Sequence, residues 1–292
     1  MASARRRGTP AAAAPASTED LGSLPSPGLA DAAPIEVRGV SKAFVDPHGH
    51  QLLALVNVDL VIEAGTFVSL IGPSGCGKST LLRIMGGLDQ PSTGTLRVNA
   101  ATGAAGTGPQ SAFVFQDYGL MPWLTVVDNV AFGLKMAGVG KTERRERARV
   151  WLARVGLAGF ERAYPEQLSG GMRQRLSLAR AFVTEPDVLF MDEPMGAVDP
   201  QTRLLLQEDL LRIWEETRKT VVLVTHSLDE ALLLGDRVVV MTARPGRVKL
   251  DLPVELERPR TVATTGGAAF ASLRNTLWEA LRDEVARSME LS

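Results

Sequence analysis

Gly72 and Gly77 are separated by four residues and followed by Lys78 and Ser79, within the run Gly72-Pro73-Ser74-Gly75-Cys76-Gly77-Lys78-Ser79-Thr80. This is the pattern of a loop that cradles phosphates. Its glycines leave backbone N–H groups free to close around phosphate oxygens, and a helix opening at its end points a positive pole at the same anion. Lys78 would add a point charge at the β- and γ-phosphates of a nucleotide, and Ser79 a hydroxyl for Mg²⁺. Two carboxylates, Asp192 and Glu193, follow the apolar run Val188 to Met191, and Thr225-His226 follows a second such run, Val221 to Val224. Polar groups at the carboxyl ends of strands are where open α/β sheets hold their ligands. Ser169-Gly170-Gly171 opens a further helical stretch, whose hydroxyl and unpaired N–H groups make a second anion site. A plain helix cap would need only the Ser, and the glycine pair costs helix stability.

These side chains need strands and helices in a particular order. Phe67 to Ile71 is strand-like and enters the loop, and Leu81, Leu82, Met85 and Leu88 recur at helical spacing, predicting a helix from Lys78 to Leu88. The phosphate-loop match therefore has the strand, loop and helix it requires. Val188 to Met191, Val221 to Val224 and Val238 to Met241 are continuously apolar, as in a parallel sheet covered on both faces. Extended stretches begin at Ile35 and run from Leu53 to Ile62, ending in the turn Glu63-Ala64-Gly65, and Ala112 to Phe115 is a strand that ends at Gln116. Between Gln116 and Pro186 the pattern turns helical: Val126 to Met136, Thr142 to Val155 and Met172 to Val183. After the turn Pro245-Gly246 and an extended segment, Val248 to Leu256, Phe270, Leu273, Leu277, Leu281 and Val285 form a terminal amphipathic stripe, expected to pack on the core, with a partner-binding face as the alternative.

The chain has 292 residues, 45% hydrophobic and 22% charged, enough for a substantial core. A formal net charge of −1 supplies no basic footprint for nucleic-acid phosphates. Cys76 is the single cysteine, so no internal disulfide forms; inside the loop it fills space, with a redox-sensitive thiol as the alternative. No apolar run approaches the ~20 residues a membrane helix needs. Residues 1 to 33 are rich in Ala, Pro, Ser and Gly and are expected to be a disordered tail. Arg5-Arg6-Arg7 is not followed by an apolar region, which makes it a solvated basic segment rather than an export signal. His48 and His50 lie in a polar Gly/Pro loop and take no role.

The ordered set of the phosphate loop, Gln116, Leu168-Ser169-Gly170-Gly171-Met172, Met191-Asp192-Glu193-Pro194 and Thr225-His226 resembles the ATP-binding-cassette (ABC) ATPases over about residues 35 to 260. The resemblance implies an α/β fold, a P-loop NTPase cassette with a mainly parallel sheet core, an N-terminal antiparallel β region and a helical subdomain at about 117–186. The cassette would run from 34 to 260, followed by the terminal helix at 261–292. It implies ATP and Mg²⁺ as cofactors. Gly72 to Thr80 would hold the phosphates; Ser79, Gln116 and Asp192 would attend the metal; Glu193 would be the general base, with His226 sensing the γ-phosphate and Gln116 contacting the water. Ser169, Gly170, Gly171 and Asp199 would complete the site of a second, head-to-tail copy in an ATP-dependent homodimer. Val198 stands beside Asp199 where the family more often has Leu, a loss of one methylene without added polarity. Phe44 matches the aromatic that stacks on adenine, core packing being its other reading.

Met121 to Val130, Ala243-Arg244-Pro245-Gly246-Arg247 and Arg258-Pro259-Arg260 are most similar to the nitrate/sulfonate/taurine-type importer ATPases. The short stretch after the terminal helix is expected to leave no room for the regulatory β-domain of longer sugar-importer ATPases. This implies a peripheral subunit on the cytoplasmic face of the cell membrane. It would hydrolyse ATP to drive separate transmembrane permease subunits, fed by an extracytoplasmic solute-binding protein. The alternative is a soluble cassette ATPase clamping DNA or ribosomes. That class usually carries paired cassettes or long coiled-coil inserts, and here there is one phosphate loop and no sustained heptad pattern.

Overall fold

The computed structural model describes residues 35–45, 49–98, 111–196 and 198–290; the expected N-terminal tail, His48 and Ala197 lie outside the described residues. Two sheets organise the chain. In the first, β1 (Ile35–Val45) pairs antiparallel with β2 (Gln51–Ile62) on one side and β4 (Thr93–Val98) on the other. The second has the order β5-β6-β7-β3-β8-β9, from β5 (Ser111–Val114), β6 (Val188–Asp192), β7 (Thr220–Val224), β3 (Phe67–Ile71), β8 (Arg237–Met241) and β9 (Val248–Pro253). Its strands run parallel except β9, which is antiparallel to β8.

The continuous apolar runs are explained by what covers each face. Side chains alternate along a strand, so Phe67, Leu189, Met191, Val221 and Leu223 join one core with the helices of the middle of the chain. Val68, Leu70, Val188, Phe190, Val222 and Val224 join another with β1, β2 and α1 (Lys78–Met85). Phe67 and Trp214, both buried, meet edge to face with ring centroids 5.8 Å apart, and each large side chain buried this way contributes roughly 1.5–3 kcal/mol.

β4 had no clear sequence signal. No residue in it is fully buried, and it contains Gly94 at φ +89, where a Cβ would lie 2.4 Å from the Gly39 carbonyl oxygen. The glycine that makes the close approach of β4 to β1 possible is the residue that weakens its strand pattern. Helix α1 stops at Met85, short of the expected Leu88, because Gly86 and Gly87 follow and a Cβ on Gly86 would collide with the Phe113 ring at 1.9 Å.

The helical part comprises α2 (Val126–Val130), α3 (Phe132–Met136), α4 (Lys141–Arg154) and α5 (Gly170–Phe182). The single helix expected from Val126 to Met136 is two short ones, divided at Ala131, whose ψ of −7° departs from the helical value. Trp151 of α4 stacks on Phe182 of α5 at 5.4 Å. Helices α6 (Pro200–Thr217) and α7 (Leu228–Leu234) flank the second sheet.

The terminal stripe forms α8 (Ala268–Glu290), and Phe270, Leu277 and Leu281 bury against Ile71, Ala231, Leu232, Val238 and Val240. The Arg260 guanidinium holds the chain ahead of it by donating to the carbonyls of Leu232, Gly235, Val254 and Leu256. Burial, then the neighbouring Arg258 charge, draws its pKa down to about 10. No described helix is long and apolar enough to cross a membrane.

Candidate functional site

β3, buried along its whole length, delivers the chain into the phosphate loop. The loop glycines are required by close packing as well as by backbone angle. A Cβ on Gly72 would lie 2.8 Å from Cys76 Sγ and 3.1 Å from the Met241 carbonyl oxygen. At Gly77, with φ +102, it would meet Leu55 Cδ2 at 2.6 Å. Cys76 is fully buried and burial pushes its thiol pKa up, so it is an unreactive filler in the loop. Lys78 is only 4% exposed, and its Nζ donates to the carbonyls of Gly72 (2.8 Å) and Pro73 (2.9 Å). A buried ammonium needs such partners, and they hold it at the mouth of the loop. Helix α1 starts here without a side-chain cap, leaving its first N–H groups for an anion.

The strand order places β7 between β6 and β3, so three carboxyl ends converge on this loop. The Ser79 hydroxyl donates to Asp192 Oδ1 at 2.7 Å. Glu193 Oε1 lies 2.5 Å from His226 Nε2, and the Glu193 N–H donates to the Val224 carbonyl. Glu193 has φ +47, a left-handed conformation that costs a non-glycine residue about 1–3 kcal/mol and is typically retained at functional sites.

Behind His226, the Thr225 hydroxyl donates to Glu230 of α7, accepts from the Ser227 N–H, and so sets the turn that carries the histidine. Gln207 of α6 donates to the other Glu230 oxygen at 3.4 Å. Burial raises the Glu230 pKa above the ordinary carboxylate value.

The loop, Glu193 and His226 border one cavity of about 380 Å³. Ser74, Gly75, Gly77, Lys78, Ser79 and Thr80 form its floor, Glu193 and His226 one wall, and Phe44, Leu52 and Ala54 another. Phe44 is 41% exposed, which removes the core-packing reading and leaves an aromatic face at the cavity. Arg244, absent from the candidates named from sequence, also lines it.

Of the other expected site residues, Gly72, Pro73, Cys76 and Asp192 do not line the cavity, and neither does Gln116. It sits just beyond β5 with its Nε2 3.8 Å from where a Gly196 Cβ would lie, close to the Glu193–Gly196 turn. Ser169, Gly170, Gly171 and Asp199 are not brought to the cavity either. Ser169 caps α5, accepting from the Met172 N–H at 3.3 Å, and Asp199 caps α6, accepting from the Thr202 N–H at 2.9 Å. That N–H holds the Asp199 carboxyl below its usual pKa. A Cβ on Gly171 would lie 2.5 Å from Thr202 Cγ2, so this glycine brings the starts of α5 and α6 into contact. Ser169, Gly170 and Asp199 are exposed there.

Ser79 and Asp192 offer a hydroxyl and a carboxylate at hydrogen-bond distance, the hard oxygen donors that suit Mg²⁺. Among the described residues no group of three or more His, Cys, Asp or Glu could hold a metal alone. An ion at this pair would take its remaining ligands from phosphate and water, as Mg²⁺ usually does.

A second cavity, of about 320 Å³, has Trp123, Phe132 and Ala131 on one side and Lys135, Lys141 and Arg144 on the other. Trp123 is 74% exposed, whereas Met121 is half-buried, its backbone held by the Asn129 side chain.

The chain matches the ABC transporter family over residues 55–196. It is 46% identical to an uncharacterized ABC transporter ATP-binding protein of Methanocaldococcus jannaschii over 256 residues, 88% of this chain and 94% of that protein. Identity is 43% to the nitrate import ATP-binding protein NrtD of Synechocystis sp., covering 76% of this chain and 83% of NrtD. It is 49% to the taurine import ATP-binding protein TauB of Burkholderia pseudomallei, covering 72% and 80%. A bacterial ABC transporter cassette solved as a dimer superposes with a TM-score of 0.67 at 34% identity, covering 76% of this chain and all of that one. The same cassette in a post-hydrolysis state bound to ADP and Pi gives 0.67 at 33%. With its ordered motifs, its cavity and these relatives, the chain belongs to the ATP-binding proteins of ABC transporters and is an ATPase.

Proposed function

We propose that the chain is the ATP-hydrolysing subunit of an importer for a small anionic or zwitterionic solute of the nitrate, sulfonate or taurine type. The observation that carries the reading is the convergence of the phosphate loop and the Glu193–His226 pair on one cavity, where the loop's Ser79 is hydrogen-bonded to Asp192. Adenine lies against Phe44, and the loop N–H groups and Lys78 take the phosphates. Ser79 and Asp192, together with Gln116 beyond β5, would hold Mg²⁺, which would neutralise phosphate charge. Glu193 accepts the proton of the attacking water, and His226 fixes the Glu193 carboxylate.

Ser169, Gly170 and Asp199 lie on an exposed surface outside their own chain's cavity, with Gly171 buried behind them where α5 meets α6. That supports a head-to-tail homodimer in which they close over the γ-phosphate of the other copy. The Trp123 cavity receives a cytoplasmic segment of the permease, an exposed Trp beside apolar neighbours being a common feature of such surfaces. The subunit would sit on the cytoplasmic face of the membrane and meet the solute-binding protein only through the permease.

The test is reconstitution of the chain in vesicles with the permease and binding protein encoded beside it, followed by uptake of nitrate, taurine and an alkanesulfonate. ATP-dependent uptake of one solute, abolished by Lys78→Ala, is expected. An ATPase stimulated by nucleic acid and indifferent to the permease would overturn the proposal.

A further inference from the structure

Arg244 was legible only as part of a similar stretch, yet its guanidinium rests on the phosphate loop. Its Nε donates to the Gly75 carbonyl at 3.2 Å, and a Cβ on Gly75 would lie 2.8 Å from its Nη2. Gly75, at φ +72, leaves the space the guanidinium occupies. Among the described residues Arg244 has no carboxylate partner, and its remaining N–H donors are unbonded at the cavity rim. A planar fork of donors with only one committed suits a phosphate oxygen or a ribose hydroxyl.

The turn that carries Arg244 is clamped on two sides. The Gly246 N–H donates to the Ala54 carbonyl of β2, and a Cβ on Gly246 would lie 2.0 Å from the Cys76 carbonyl oxygen, so the turn abuts the loop itself. On the far side the buried Ala243 N–H donates to Glu284 Oε2 of α8 at 2.9 Å. Glu284 is 2% exposed and follows Leu277 by seven residues, on the stripe where an apolar side chain would pack. Its other oxygen takes Lys249 Nζ at 2.8 Å and Arg287 Nη1 at 3.2 Å. A leucine would satisfy helix packing there without the desolvation that a carboxylate suffers. The carboxylate's distinctive work is to hold the Ala243 N–H.

We infer that Arg244 is a nucleotide-contacting residue and that the C-terminal helix sets its position through Glu284, an inference that rests on the assignment of this cavity to ATP. Glu284 is thus a positioning residue, and α8 is coupled to nucleotide affinity across the Ala243–Arg244 peptide.

The experiment is titration of the full chain with a fluorescent ATP analogue, for the parent, Lys78→Ala, Arg244→Ala, Glu284→Leu, which removes the acceptor, and the Arg244→Ala/Glu284→Leu double variant, each checked by circular dichroism. Arg244→Ala should weaken binding about tenfold, the scale of one charge-assisted hydrogen bond. Glu284→Leu should weaken it about three- to tenfold, and the double variant should bind no more weakly than Arg244→Ala alone, since both act through one contact. Parental affinity in Arg244→Ala while Lys78→Ala loses binding overturns the inference and leaves the ATP site standing. Parental affinity in Lys78→Ala instead refutes the ATP assignment of the cavity. Multiplying effects in the double variant reduce Glu284 to a structural role. If Glu284→Leu does not fold, Glu284→Asp, which keeps the charge and shortens the reach by one methylene, carries the same comparison.

Discussion

Replacing Glu193 with Gln changes one oxygen to an amide and leaves the backbone as it is. Both residues carry a Cβ, so the strain at φ +47 is the same in parent and variant. The Val224 carbonyl still accepts the residue 193 N–H, and Ser79 still donates to Asp192. The phosphate contacts proposed for the loop and Lys78 do not involve the side chain removed, so ATP affinity should change by no more than about threefold. What disappears is the carboxylate 2.5 Å from His226 Nε2, the group proposed to accept a proton from water. Positioned base catalysis is worth ~10²–10⁴ in rate, or roughly 3–5 kcal/mol of barrier. Single-turnover phosphate release should therefore fall by about a thousandfold while a fluorescent ATP analogue binds almost normally. With hydrolysis stopped and one negative charge removed beside the γ-phosphate, size-exclusion chromatography in ATP should show a persistent dimer, against a mainly monomeric parent after turnover. A well-folded Glu193→Gln chain that releases phosphate at the parental rate would remove Glu193 from the reaction.

Three further outcomes test other parts of the reading. Ser169→Arg should lose the α5 cap, worth about 1 kcal/mol, still bind ATP, and form no ATP-dependent dimer with itself; dimers as stable as the parent's would remove Ser169 from the interface. Trp123→Glu should abolish coupled uptake in vesicles and spare most basal ATPase, whereas equal loss of both would assign Trp123 a role in the cassette's own stability. Glu230, facing Thr225, Gln207, Arg203 and Glu193, has a folded-state pKa above its unfolded value because it is buried. The folded chain then binds that proton more tightly, so this contribution to stability is full below the ordinary carboxylate value and is lost as pH rises through the raised one. Glu230→Gln should lack that decline, so its Tm relative to the parent should rise across this window; parallel Tm curves would refute the assignment.

Residues whose chemistry depends on neighbours in sequence are legible from the chain alone. The phosphate loop requires glycines, Lys78 and Ser79 within one strand, loop and helix, and that context is local. Asp192, Glu193 and His226 are legible because a buried parallel strand is a continuous apolar run and its carboxyl end is a predictable place. What the motifs leave open is which chain each serves. Ser169 and Asp199 have the same composition whether they face their own nucleotide or another's; only their separation from the cavity supports the second.

Arg244 and Glu284 carry no such signal, and the reason is physical. The bond from Arg244 to Gly75 spans 169 residues and that from Glu284 to Ala243 spans 41, so neither has a characteristic spacing. In the terminal stripe, a helical period assigns Phe270, Leu277 and Leu281 to the core and treats an interposed Glu as solvated. The structure instead buries Glu284 and gives it a backbone N–H, a lysine and an arginine. Periodicity identifies the face of a helix that turns inward. It does not register a charged group on that face whose partner is a main-chain amide of a distant turn. Such a residue becomes visible only when donors and acceptors are followed bond by bond. Here that path leads from the last helix of the chain to the Gly75 carbonyl in the phosphate loop.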